Sequence, residues 1–209
     1  MYTHTKKILT AGTPVEQATK AMVLLHGRGG SAEDILSLAD HLDVKGMALF
    51  APQATQHSWY PNSFISPVKD NQPALDSALA IIDELVESII ASGIAREHLY
   101  LAGFSQGACL TLEYSSRHAS RYAGIIAFTG GLIGQQLATE NYKGDFGQTP
   151  VLIATGEPDP HVPVSRVKES AAILEKMNAR VTTQIFKGRP HTITMEEIEL
   201  ANRLILSPK

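Results

Sequence analysis

One cysteine, one tryptophan and no apolar run approaching the ~18 residues of a membrane span are the first things this 209-residue sequence is short of. The lone Cys109 has no intramolecular partner, so the fold rests on no disulfide and a reducing compartment is permitted. Flanked by Ala108 and Leu110, it reads as a small buried hydrophobe. Lys6 and Lys7 are followed by "ILTAGTPVEQ", which is not the apolar core of a signal peptide, so the chain is expected to be cytoplasmic. Neither sign of charge dominates: 18 Lys and Arg against 21 Asp and Glu leave a net charge of -3, with no basic footprint for nucleic acid. Metal and nucleotide signatures are missing as well. There is no H-E-x-x-H, no paired C-x-x-C and no Walker lysine, so no metal and no organic cofactor are expected. With no linker, repeat or low-complexity tract, residues 1–209 read as one domain.

What is present is a regular alternation. Hydrophobic content of 44% and charged content of 19% are those of a globular protein. Short apolar runs at 21–25, 47–51, 99–103, 124–130, 151–156 and 181–186 read as buried strands. Helical patterns lie between and after them at 31–42, 71–93, 106–118, 164–179 and 194–207. Ser31 with Asp34, and Thr194 with Glu197, have the spacing of capping boxes. Strands without polar alternation, separated by helices, predict an α/β fold with a mostly parallel sheet and helices on both faces. Residues 52–70 are the longest stretch without a regular period, and loops of that length in compact domains are more often functional than not.

In such a sheet, chemistry gathers in the loops at the carboxyl ends of the strands. The first, His26 to Ala32, matches G-x-G-x-x-A at Gly27, Gly29 and Ala32 and raises a dinucleotide-binding enzyme as a rival. That rival needs an acidic residue about twenty positions on, and no Asp or Glu occurs between Asp43 and Asp70. The second loop holds Gly103-Phe104-Ser105-Gln106-Gly107. A bare G-x-S-x-G arises by chance in roughly one chain in ten to fifteen of this length. Here a strand precedes it and a helix follows, the setting of a nucleophile elbow, with the helix dipole aimed at a developing oxyanion.

A serine needs a base, and the base an orienting group. Of the eight histidines, His4, His41, His98 and His118 read as surface residues and His26 as structural, while His57 and His161 are placed to line a pocket. His191 follows the last strand, and hydrolases built on this elbow run Ser, then acid, then His. The acid is then Asp159 in "EPDPHVP", braced by Pro158 and Pro160, in preference to Glu157. Arg28 and Arg189 flank the site on two loops, as solvated side chains or as contacts to a charged substrate. Trp59, Tyr60 and Phe64 offer apolar area as a pocket wall or as core anchors of their loop.

The set "LLHGRGGS" (24–31), "WYP" (59–61), "GFSQGA" (103–108), "DPHVP" (159–163) and "PHT" (190–192) resembles the phospholipase/carboxylesterase family of small α/β-hydrolases, which includes acyl-protein thioesterases. The resemblance spans about residues 20–206 and implies an α/β-hydrolase fold without a lid domain. It implies a triad of Ser105, Asp159 and His191, and an oxyanion hole made by the backbone N–H groups of Arg28 and Gln106. The expected activity is cleavage of soluble, short-to-medium acyl carboxylic esters or thioesters through an acyl-enzyme. The alternatives are a lysophospholipase or acyl-protein thioesterase, or a non-catalytic binding protein on a hydrolase scaffold. The partner implied is a small-molecule ester, with oligomeric state left open. The loops "HGRGGSAED" and "GRPHTI" depart from the eukaryotic thioesterase branch, so the hydrolase chemistry carries over but protein depalmitoylation does not follow.

Overall fold

Each interior strand buries both of its faces, and its alternate residues feed two separate cores. In the computed structural model, which describes residues 1–207, the strands are β1 (Ile8–Gly12), β2 (Lys20–Leu25), β3 (Met47–Pro52), β4 (Leu99–Phe104), β5 (Gly124–Phe128), β6 (Pro150–Glu157) and β7 (Arg180–Lys187). They form one sheet in the order β1-β3-β2-β4-β5-β6-β7, parallel except for β1, which pairs antiparallel with β3. Ala21, Val23 and Leu25 of β2 join the core under α2 (Ala74–Ala91), α3 (Gln106–Arg117) and α4 (Val164–Lys176). Met22 and Leu24 point the other way, to the core under α1 (Ala32–Leu36) and α5 (Met195–Ala201). The period of two in a strand therefore splits one apolar run between two helix layers. Residues 208 and 209, the end of the expected 1–209 domain, lie outside the described residues.

The six apolar runs are strands at nearly the expected bounds, and β1 is an addition. Only Ile8 and Leu9 of β1 are half-buried and the rest is exposed, so an edge strand of this kind displays no apolar run. The helices are shorter than their periodic patterns. Pattern 31–42 breaks after Leu36 into a 3₁₀ turn at Ser37–Asp40, and 194–207 gives way after Ala201 to a π turn at Asn202–Leu206. Pattern 71–93 becomes helix only at Ala74, because the residue before Pro73 is driven out of the α region. The capping box at Ser31 forms, its hydroxyl accepting from the Asp34 N–H at 3.1 Å. At the other, Glu197 accepts from the Thr194 N–H at 2.8 Å.

Between β5 and β6 the chain carries only a 3₁₀ turn at Thr139–Asn141, with no helical insertion over the sheet. That segment is tied to α3 by Glu113, a buried carboxylate that accepts from the Ile133 N–H, the Tyr142 hydroxyl and Arg117. Among the described residues no helix is long and apolar enough to cross a membrane.

Candidate active site

Ser105 stands between the end of β4 and the start of α3 with φ 54° and ψ -117°, a conformation that L side chains rarely adopt. Two backbone bonds hold it there: its N–H donates to Phe128 O at 2.9 Å, and its carbonyl accepts from the Cys109 N–H at 3.0 Å. The flanking glycines are steric necessities. A Cβ on Gly103 would lie 2.4 Å from the Gly107 carbonyl oxygen, and one on Gly107 only 2.1 Å from the carbonyl oxygen of Leu25. Residue 107 thus sits directly against β2, and any side chain there would push the serine off its turn.

The serine, the late histidine and the braced aspartate meet in one hydrogen-bonded row. His191 Nε2 lies 2.7 Å from Ser105 Oγ, and His191 Nδ1 lies 2.7 Å from Asp159 Oδ2. The Asp159 side chain is wholly shielded from solvent. Its other oxygen accepts from the backbone N–H groups of His161 at 2.8 Å and Val162 at 2.9 Å. Burial pushes the Asp159 carboxyl up, but the His161 amide, the His191 ring and the Val162 amide together outweigh it, and the net shift is downward. An ionised Asp159 only accepts, so His191 carries its proton on Nδ1 and turns the Nε2 lone pair to Ser105. Glu157, the other carboxylate of that loop, is exposed at the end of β6 and makes no bond to His191. The imidazole is flanked by the Phe104 ring at 5.3 Å and, edge-on, by His161 at 5.0 Å.

Among the described residues, neither the Arg28 nor the Gln106 backbone N–H donates to a protein acceptor. The side chains of both residues face the 58–62 loop. Arg28 Nη1 donates to Ser58 Oγ and Pro61 O, and Nη2 to Asn62 O. Gln106 accepts from the Trp59 N–H at 2.8 Å and donates to Tyr60 O at 2.8 Å. These clasps fold the long loop 52–70 onto the serine turn, a role for both side chains that no local pattern signals.

A cleft of about 600 Å³ opens in front of Ser105 and His191, with Tyr60, Phe64, Val162 and Cys109 among its walls. Cys109 is fully buried at its floor, and burial pushes its thiol up to about 12. His161 lines the cleft, whereas the exposed His57 does not and bonds Gly30 O at 2.8 Å. Two expectations for the pocket need correcting. Trp59 does not reach the cleft: it is fully buried, donates from Nε1 to His26 O at 2.9 Å and packs on the His26 ring at 5.0 Å. Arg189 is turned away too. Its guanidinium lies 4.8 Å over the Phe186 ring and bonds Thr194 Oγ1 and Glu196 at the start of α5. Trp59→Ala should therefore destabilise the fold by about 3–5 kcal/mol. Any loss of turnover should be equal for acetyl and octanoyl esters, and a KM that rises with chain length would return Trp59 to the pocket.

The glycine loop is no dinucleotide cradle. The N–H groups that would face a pyrophosphate are taken, Ser31 N–H by Asp34 at 2.8 Å and Ala32 N–H by Gln53 at 2.8 Å, and α1 has only 5 residues. Among the described residues no group of three potential metal ligands comes together.

Comparison with known proteins adds a family to this geometry. A family model described as phospholipase/carboxylesterase matches residues 8–206. The crystal structure of a phospholipase/carboxylesterase from Dyadobacter fermentans DSM 18053 is 64% identical, covers 99% of both chains and superposes with a TM-score of 0.98. Acyl-protein thioesterase 1 of Gibberella zeae is 32% identical over 117 residues, 55% of this chain and 50% of that protein, so the match spans half the relative's length. Acyl-protein thioesterase 1 of Saccharomyces cerevisiae is 24% identical over 212 residues, 91% of this chain and 93% of the relative. The sheet order and the helix layers are those of the α/β-hydrolase fold, and among the described residues no lid domain is inserted into it.

Proposed function

The chain belongs to the phospholipase/carboxylesterase family, and we propose that it is a cytoplasmic serine hydrolase of carboxylic esters, acting through Ser105, His191 and Asp159 with residues 1–209 as one domain. The observation that carries this reading is the unbroken row from Asp159 to His191 to Ser105, with both links at 2.7 Å, on a serine held in a strained turn. His191 takes the Ser105 proton on Nε2 as Oγ attacks the acyl carbon, while Asp159 holds the imidazole in that tautomer and stabilises its cation. The oxyanion is received by the N–H groups of Arg28 and Gln106, which have no protein acceptor of their own among the described residues. The imidazolium then protonates the leaving alcohol. Water enters by the same relay and releases the acid, regenerating Ser105.

A lidless, open cleft of about 600 Å³ suits water-soluble esters of short-to-medium acyl chains. Thioesters are a second reading, favoured by the relatives named as acyl-protein thioesterases. They need the same nucleophile and oxyanion donors and differ only in the leaving atom. Fluorophosphonate labelling tests the core of the proposal. One label per chain on Ser105, slowed while an excess of a hydrolysable aryl ester is present and absent from Ser105→Ala, is the expected result. An unlabelled Ser105 in folded protein would leave a binding scaffold as the better description.

A further inference from the structure

The permanent charge on the walls of the cleft in front of Ser105 is of one sign. Among the described residues lining it there is no Asp or Glu, and its one permanently charged side chain is Arg28. The whole chain carries a net charge of -3, so this single cationic side chain runs against the protein's own balance.

Arg28 is not consumed by an ion pair. Among the described residues no carboxylate lies within 4.0 Å of its guanidinium, whereas Arg189 on the other flank is paired with Glu196. The Arg28 acceptors are all neutral: Ser58 Oγ at 3.0 Å, Pro61 O at 2.9 Å and Asn62 O at 2.6 Å. They use both Nη1 protons and one on Nη2, and leave Nε–H and the second Nη2–H without a protein acceptor. Carbonyl dipoles fix the orientation of a guanidinium without cancelling its charge. The arrangement is therefore held ready, and little side-chain entropy remains to be lost when an anion arrives. Because the Arg28 backbone N–H belongs to the proposed oxyanion hole, this side chain is anchored within one residue of the reacting carbonyl.

We infer that the natural substrates are esters bearing a carboxylate, and that the Arg28 guanidinium is the group that selects them. The inference rests on the hydrolase reading above and names its substrate class. A carboxylate supplies acceptors for the two guanidinium donors that, among the described residues, no protein group engages, and a charge-assisted bond is roughly twice as strong as a neutral one. The cleft is open to solvent, which moderates the gain to about tenfold in kcat/KM.

The test compares matched anionic and neutral esters, with the carboxylate on either side of the scissile bond. The acyl arm uses 4-nitrophenyl hydrogen glutarate against methyl 4-nitrophenyl glutarate. The alcohol arm uses 4-acetoxybenzoate against its methyl ester. Arg28→Gln also loosens the 58–62 loop and is expected to slow both members of each pair, so the readout is the anionic-to-neutral ratio of kcat/KM. That ratio should fall about tenfold in at least one arm for Arg28→Gln, and Arg28→Lys should recover part of it. In the unaltered enzyme the ratio should decline as salt rises from about 0.02 to about 0.5 M.

Equal losses for both members in both arms would reduce Arg28 to a loop clasp and overturn the inference. If Arg28→Gln does not fold, a salt-independent ratio in both arms of the unaltered enzyme overturns it as well. Failure of the hydrolase reading would look different: no Ser105-dependent turnover of any neutral ester. Binding of 4-nitrophenyl hydrogen glutarate to the Ser105→Ala protein by calorimetry then gives a separate answer. Affinity should weaken about tenfold when Arg28→Gln is added, and an unchanged affinity counts against the inference.

Discussion

Ser105→Ala should lower kcat for every ester by about 10⁶, to the level left by binding and the oxyanion donors alone, as removal of the serine does in subtilisin. The protein should stay folded. What holds residue 105 in place is backbone, its N–H on Phe128 O and its carbonyl on the Cys109 N–H, and alanine keeps both. The positive φ of 54° costs alanine about what it costs serine, so the strain of the turn does not change sign or size. What disappears is one oxygen, the only partner of His191 Nε2 among the described residues. Steady-state hydrolysis of a neutral aryl ester, read beside a thermal melt, checks this. A variant that retains turnover with an unchanged melting temperature would remove the nucleophile from the mechanism.

The second large effect is expected at Asp159. Asp159→Asn should lower kcat on the order of 10⁴. The carboxylate accepts three protons, from the His161 and Val162 amides on Oδ1 and from His191 on Oδ2. An asparagine amide has one oxygen and one NH₂, so one of these donors must face another donor. If the oxygen stays with the two backbone amides, the NH₂ confronts His191 Nδ1 and forces its proton onto Nε2, the nitrogen that must accept from Ser105. If the oxygen turns to His191, two backbone N–H groups are left facing NH₂ in a site closed to solvent, and the loop must shift. Both outcomes stop the relay. Because those same donors hold the Asp159 carboxyl below its ordinary value, its own protonation should not shape the pH profile between pH 5 and 8. Glu157→Gln is the control. Its carboxylate makes no contact with His191, so it should change kcat by less than about threefold. The opposite ranking of the two variants would show that the relay ends on Glu157.

How much of this was legible beforehand depends on the reach of each signal. Apolar runs without polar alternation marked β2 to β7, because a strand covered on both faces needs no other sequence than that. Ala21, Val23 and Leu25 against Met22 and Leu24 show the same run serving two cores. The glycines at 103 and 107 were equally readable, since only a residue without Cβ survives contacts of 2.1 to 2.4 Å. Chain order named Ser105, Asp159 and His191, each at the carboxyl end of a strand, where a parallel sheet delivers its loops to one edge.

Beyond that edge, local pattern stops carrying information. Trp59 and Tyr60 are neighbours in sequence, yet one is locked under His26 in the core and the other walls the cleft. The choice depends on how Gln106 and Arg28 grip the 58–62 backbone from other elements. Arg28 and Arg189 likewise look alike as residues flanking a site. Tertiary structure separates them, because Glu196 on α5 comes within reach of one guanidinium and, among the described residues, no carboxylate comes within reach of the other. A strand or helix announces itself through repeats of two or 3.6 residues, set by its own backbone. The partner a long polar side chain finds is set by which distant elements are packed beside it, and so the charge of the cleft became visible only in the folded molecule.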